Sequence, residues 1–510
     1  MSTTSMLPLL ADVSPTKAVI AAFAGWLLWL DYKRASISPK VEPVGATSLP
    51  IPIIGSWIAA IRFLRDPVKA VREGTRKTKN GMFKITTHQG EYVLVTDRAK
   101  VSEYLRAPDD VLSMQDGAND QQQIPFTMGY GVGHRTYHTS VVKGPVTKKI
   151  NEKTPDMIDE ASLALDELFG APEEYTPFPL YDHMAMVVAR IANRIYVGTR
   201  FCRNERYLRA AIDYAQYVVI SAELIRVLPD WLKRIVVPYM PCTTYRKMAE
   251  VYLADFIRER LEERGDESDD KPDDLLQWLV DAAPPIEKTV PQLSERLMAL
   301  NVGSIHTRVM TFTGAPYILA ENSEKYTAML REEVEASLVD GRIAVESLNK
   351  LPKMDSFLRE SARCSNLGML NSPTVAMQRN ARQQFTFSDG TVIPKGAKVG
   401  SPTLITHYDP EVYANPEVFD PLRWYNEARE HGTAQKTILT TGPNFNVFGA
   451  GRHPCPGRFL ATHEMKIILS MLLLRYDFKF ADGVKAKPLY IATMSLPDTM
   501  VNVLFRRRQV

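Results

Sequence analysis

The sequence predicts a mainly helical α+β domain, helix-rich with small β-sheets, formed as one large unit. Residues 187–197, 211–227 and 245–264 place apolar side chains three and four apart, the spacing of amphipathic helices. The short runs that read as strands come in adjacent pairs and do not alternate with helices, which argues against a doubly wound parallel sheet. After the first fifty residues no low-complexity linker divides the 510-residue chain, and it holds no internal repeat.

Charge and cysteine usage narrow the class further. Lys plus Arg number 62 against 59 Asp plus Glu, a net charge of +3, too balanced for a nucleic-acid surface. Four scattered cysteines argue against a disulfide framework and place the globular part in a reducing compartment. Cys202, Cys242 and Cys364 form no Cys-x-x-Cys pair, so a zinc site is not expected.

In chain order, the first apolar element is residues 18–30, AVIAAFAGWLLWL. Alone it is short for a bilayer core of about 30 Å. Extension back to Leu7 supplies the length, with a kink at Pro15. Trp26 and Trp29 suit the membrane interface, and Lys33-Arg34 set the following domain on the cytosolic side. No Lys or Arg precedes Lys17, which weighs against a cleaved secretory signal. The expected organisation is therefore an anchor at 1–34, a stiff neck at 35–55 built on Pro39, Pro43, Pro50, Pro52 and Gly55, and a catalytic domain at 56–510.

Residues 83–86 and 92–95 read as paired strands joined at Gln89-Gly90, and residues 385–387 and 391–393 as a hairpin turning at Asp389-Gly390. The acidic run 262–274 reads as an exposed loop. A long helix is expected across 294–320 with Met298, Val302, Ile305, Val309 and Phe312 as its apolar stripe, kinked or ended by Pro316. Residues 354–363 form a helix that puts Glu360 and Arg363 at i and i+3, within pairing reach. A last strand falls at 501–505.

The most informative run is Phe448-Gly449-Ala450-Gly451-Arg452-His453-Pro454-Cys455-Pro456-Gly457. It places one cysteine ahead of a helix, where free N–H groups and the dipole stabilise a thiolate. Phe459, Leu460, His463, Ile467, Ile468, Met471 and Leu472 give that helix its periodicity, with Pro456 in its first turn. The glycines let backbone approach a flat macrocycle.

Phe448, Gly451, His453, Cys455 and Gly457 match all five positions of the haem-binding loop of the cytochrome P-450 superfamily, and the resemblance extends over essentially the whole chain after residue 45. It implies the cytochrome P-450 fold and heme b, its iron ligated axially by the Cys455 thiolate. It implies that Glu360 and Arg363 form a buried network closed by Arg423 of the Phe419-Asp420-Pro421-Leu422-Arg423 segment, fixing the haem loop. Arg379 falls where the family places an arginine against a haem propionate. The family's Trp-x-x-x-Arg has no match, and Tyr137-His138 with Lys143 is the nearest substitute.

Gly303-Ser304-Ile305-His306-Thr307 resembles the family's oxygen groove, with Thr307 ordering the water that delivers protons and His306 replacing the usual acid as a relay. Ile-His-Thr and residues 274–279 are similar to a fungal, membrane-bound branch of ent-kaurene-oxidase-like and triterpenoid-oxidising enzymes. The resemblance therefore implies a monooxygenase of the endoplasmic reticulum membrane acting on a hydrophobic small molecule, a terpenoid of secondary metabolism. NADPH electrons would arrive through NADPH-cytochrome P-450 reductase, since the chain has no dinucleotide fingerprint of its own. Arg452, Arg458 and Lys466 are the expected docking face. Two alternatives stand beside this reading: a haem-thiolate isomerase or dehydratase without a reductase, and a non-catalytic haem-binding protein, the latter motivated by Arg308 and Pro316.

Overall fold

One helix that is buried on almost every face organises the fold. In the computed structural model, which describes residues 41–44, 52–87, 90–262, 271–365, 374–491 and 494–509 with isolated positions between 16 and 28, this helix is Val290–Glu321. Thr289 caps its start and Pro291 sits in the first turn, where a missing N–H costs nothing. Met298, Val302, Ile305, Val309 and Phe312 are all buried, as their spacing predicts. The helix packs against Leu180–Val197, Glu205–Ile225, Pro241–Glu262 and Pro352–Ser365. Pro316 does not end it: the helix runs on to Glu321, with Pro316 buried among its neighbours. A proline removes one hydrogen bond, and tertiary burial on all sides outweighs that loss.

The small sheets flank this helical mass. Met82–Thr87 and Gly90–Val95 pair antiparallel with Phe83 opposite Leu94. They belong to a mixed six-stranded sheet that also holds Pro43–Val44, Lys398–Ser401, Ala376–Ala381 and Leu112–Ser113. Phe385–Thr386 and Val392–Ile393 form the expected hairpin, with Gly390 at φ +83° in its turn. Asn502–Arg507 is the centre of a three-stranded antiparallel sheet between Tyr476–Lys479 and Thr176–Pro179. Gln89, most of the acidic run and most of residues 18–30 lie outside the described residues. Among the described residues, no helix is long and apolar enough to cross a membrane.

The cysteine loop feeds helix Arg458–Arg475, buried almost continuously from Leu460 to Leu473. Gly457 takes the cap position, so Pro456 precedes the helix and does not open it.

Candidate active site

Cys455 sits at the end of a tight loop whose geometry is set by backbone bonds. Its N–H donates to the Phe448 carbonyl at 2.7 Å, folding the motif back on itself. Gly449 and Gly451 both lie at φ +72°, a conformation that L side chains avoid. At Gly451 a Cβ would also fall 2.8 Å from the Leu105 carbonyl oxygen, so this glycine answers to the packing of helix Arg98–Arg106 rather than to a macrocycle. Gly457 differs. Its φ is ordinary and no protein atom lies within 4 Å of where a Cβ would stand, so nothing in the polypeptide itself demands glycine there.

The thiol is accessible, yet burial is the leading influence on it. Both hold when a side chain opens onto an interior space. Burial pushes Cys455 above the ordinary thiol range, while the N–H groups of Gly457 and Arg458 and the charges of Arg308 and Arg458 pull it down and do not prevail. The helix start is therefore insufficient to make a thiolate. A coordinated metal ion deprotonates a thiol outright, and that is the donor chemistry this sulfur fits.

A buried cation gives the second test of fit. Arg379 is 4% exposed, its Nη1 donates to the Gln378 carbonyl at 3.1 Å, and it makes no ion pair among the described residues. A β-bulge between Ala376 and Arg379, with Met377 at φ +52°, sets its position in the strand. The Tyr104 hydroxyl, which feels the Arg379 charge, is buried with no hydrogen-bond partner. His453 Nε2 meets Asp109 Oδ1 at 2.7 Å. Burial first, then Arg379 and Lys143, lower its pKa against the pull of Asp109. The charges of Arg379, on strand Ala376–Ala381, and of exposed Lys143, in the kinked turn Val142–Val146, both reach His453 of the cysteine loop. Positive charge without a buried anion suits the carboxylates of a haem.

His138 belongs to a different network. Arg296 Nη1 donates to His138 Nδ1 at 2.8 Å and Arg296 Nη2 to Glu287 Oε2 at 2.6 Å, while Arg135 Nε reaches Glu287 Oε1 at 2.5 Å. Burial, then Arg296, pull the His138 pKa to about 4, so the ring is neutral with its proton on Nε2.

The Glu360 network is complete. Glu360 and Arg363 have fully buried side chains, joined by Nε to Oε2 at 2.9 Å and Nη2 to Oε1 at 2.7 Å. Arg423 Nε adds a bond to Oε1 at 3.0 Å, and Arg363 Nη1 donates to the carbonyls of His407 and Pro416 at 2.8 and 2.7 Å. The neighbouring Arg359 lies 3.6 Å from the Phe445 ring centre and 4.3 Å from that of Trp424, and its Nη1 binds the Thr437 and Thr440 carbonyls. One helix, Pro352–Ser365, thereby pins the segments on both sides of Trp424 and the approach to Phe448.

On the central helix, Gly303, Thr307 and Thr311 form an incompletely buried stripe at four-residue spacing amid buried neighbours. Thr307 Oγ1 donates to the Gly303 carbonyl at 2.6 Å, which spends its proton and leaves lone pairs to accept. His306 does not join it, and this corrects the expected relay. His306 Nδ1 meets the Tyr181 hydroxyl at 3.1 Å and Nε2 the Ile212 carbonyl at 2.9 Å, so both nitrogens are engaged by neighbouring helices. Arg308, the residue that lacked an obvious partner in the sequence, pairs with Glu464 of the cysteine helix. Lys466 is not a docking residue: it is buried, bonded to Asp355 Oδ2 at 2.8 Å. Arg458 bends back to the Cys455 carbonyl at 2.9 Å. Glu464, Arg359 and Asp109 were not singled out from sequence. A lone carboxylate inside the apolar run of residues 459–474 was the available signal for Glu464.

The fold and this site define a haem-thiolate oxidoreductase, and comparison with known proteins agrees. The family profile described as Cytochrome P450 matches residues 46–504. Cytochrome P450 monooxygenase 151 of Postia placenta is 34% identical over 98% of this chain and 100% of its own length. Cytochrome P450 monooxygenase paxP of Penicillium paxilli is 30% identical over 92% of both chains. The retinoic acid-bound cyanobacterial CYP120A1 superposes with a TM-score of 0.67 over 92% of this chain and 100% of its own, at 18% identity, a likeness of fold. The chain belongs to the cytochrome P450 family and is a monooxygenase of that family.

Two substitutions test the architecture. Glu360→Gln leaves the buried Arg363 guanidinium, and the half-buried Arg423 beside it, uncompensated and is expected to lower unfolding free energy by about 3–5 kcal/mol, read by denaturant titration. Arg379→Met is expected to act in opposite directions. The haem-free protein keeps or gains stability, by about 1 kcal/mol, because an unpaired buried cation is removed. Transfer of haem to a competing apoglobin becomes about ten-fold faster, because charged hydrogen bonds are lost.

Proposed function

We propose that this monooxygenase oxidises a hydrophobic terpenoid in fungal secondary metabolism, using electrons that pass from NADPH through a separate NADPH-cytochrome P-450 reductase. The observation that carries the reading is the open stripe of Gly303, Thr307 and Thr311 on a helix that the buried Arg308–Glu464 pair ties to the helix following Cys455. That tie supports an oxygen groove and a sulfur ligand serving one site. Bound haem would supply oxygen activation, and a cysteine thiolate ligand would donate electron density to its iron. The chain's own residues do the rest. Cys455 holds the iron, Arg379 with His453 and Lys143 receives the propionates, with His138 as a further candidate, and Phe448 and Gly457 shape the loop. Thr307 offers an acceptor that orders a water for proton delivery.

The terpenoid class rests on the likeness of the Ile-His-Thr segment to fungal terpenoid oxidases. Apolar lining suits such a substrate, since Ala299 and Leu300 precede the stripe on the same helix and are also incompletely buried. The proposed location is the endoplasmic reticulum membrane, with residues 1–34 as anchor, 35–55 as neck and 56–510 as the cytosolic catalytic domain. Exposed Leu224, Trp231, Ile235 and Tyr239, clustered between residues 224 and 239, support contact with a membrane surface. The isomerase alternative loses ground to the Thr307 hydroxyl. The non-catalytic alternative loses both motives, because Arg308 has a partner and Pro316 leaves the helix intact.

Yeast microsomes carrying the chain and a fungal reductase, fed diterpenoids, triterpenoids, sesquiterpenoids and fatty acids under labelled dioxygen, test this. The expected result is NADPH-dependent label in a terpenoid; intact haem with label in no product contradicts it. In the same system Thr307→Ala is expected to cut product formed per NADPH by about ten-fold and to release peroxide instead.

A further inference from the structure

The helix Pro352–Ser365 carries, beside Glu360, an arginine whose charge the interior leaves unanswered. Arg359 is 3% exposed and forms no ion pair among the described residues. The carboxylates that act on it from further off are already paired, Glu360 with Arg363 and Arg423, and Glu427 with Lys436 at 2.5 Å. Its Nη1 donates to the carbonyls of Thr437 and Thr440, and its guanidinium lies against the rings of Phe445 and Trp424. Its Nε is buried with no hydrogen-bond partner.

A second donor without an acceptor lies next to it. Trp424 is 4% exposed and buries its Nε1 unpartnered, with its ring centre 4.3 Å from the Arg359 guanidinium. Both residues line one cavity of about 420 Å³, together with Arg423, Lys436, Asn444 and, as the one carboxylate among the lining residues, Glu427. Lys436 Nζ stands 5.7 Å from the Trp424 ring centre. Asn444 Oδ1 is buried and unpartnered as well, and that amide turned end for end presents N–H groups. Buried polar groups in folded proteins find partners almost without exception. Water would accept from the two N–H groups and leave the charge of Arg359 uncompensated; an anion with several oxygens answers both.

We propose that this cavity binds a small oxyanion of the phosphate class, held by Arg359, Trp424 and Lys436. Donors supplied by three segments suit a tetrahedral oxyanion, and Tyr413 and Phe445 leave aromatic wall for an organic group attached to it. The cavity is bounded by residues 440–445, which lead directly toward Phe448. An occupied site thus braces the entry to the cysteine loop.

The test is thermal unfolding of the purified, haem-loaded full chain titrated with sodium phosphate, with ionic strength held constant by sodium chloride. The expected result is a midpoint that rises and saturates at millimolar phosphate. Trp424→Phe, which keeps an aromatic ring and removes the N–H, is expected to weaken the apparent affinity about ten-fold. Lys436→Gln weakens it by a smaller factor, and Lys485→Gln, which removes an exposed lysine paired with Glu321, leaves it unchanged. No rise, or a rise without saturation as an excluded salt produces, overturns the proposal. So does an affinity that is the same in the parent, Trp424→Phe and Lys436→Gln. Should Trp424→Phe fail to fold, Lys436→Gln decides alone, and an unchanged affinity overturns it. Phenyl phosphate is the second probe: tighter binding than phosphate assigns the aromatic walls to an organic phosphate, and binding no tighter assigns the site to the free ion.

Discussion

A cysteine sulfur surrounded by protein on most sides keeps its proton unless something charged compels it to leave. In this chain burial outweighs the hydrogen bonds from Gly457 and Arg458 and the pull of two arginines, so Cys455 becomes a ligand only in partnership with a metal. The polypeptide's task is then to hold the sulfur in place and exclude competing arrangements. Three charged ties meet that need. Glu360, Arg363 and Arg423 fix the segments before the loop. Lys466 and Asp355 join the cysteine helix to the Glu360 helix. Arg308 and Glu464 join it to the oxygen groove. Each sits where a hydrophobic contact could pack as well but would specify orientation less sharply.

The same logic explains a buried cation that has no anion. Arg379 is buried with no ion pair among the described residues, and its charge, with that of exposed Lys143, reaches His453, whose own partner is Asp109. A folded protein tolerates this only where a ligand completes the balance. The site is thus assembled as two incomplete halves, a sulfur that keeps its proton and a guanidinium short of negative charge, and one cofactor would satisfy both.

Much of this was legible in the sequence because the relevant constraints are local. The loop around Cys455, the Glu360–Arg363 spacing and the strand pair at Phe83 and Leu94 each depend on residues a few positions apart. What depended on tertiary neighbours was not. Nothing near Arg308 in sequence announces Glu464, nothing near His453 announces Asp109, and Lys466 reads as a surface charge until the Pro352–Ser365 helix packs over it. His306 failed for the same reason. Its neighbours along the chain suggested a relay, whereas Tyr181 and Ile212 from two other helices take both nitrogens. Pro316 does not end the helix because helix propensity is a weak influence inside a packed core.

The measurement closest to the centre of this account is the reduced carbon-monoxide spectrum of the purified full chain, compared with Cys455→Ser and with Cys364→Ser as control. The account predicts a thiolate-type band in the parent and in Cys364→Ser, and loss of that band in Cys455→Ser. A band that survives replacement of Cys455, or that follows Cys364, would contradict it.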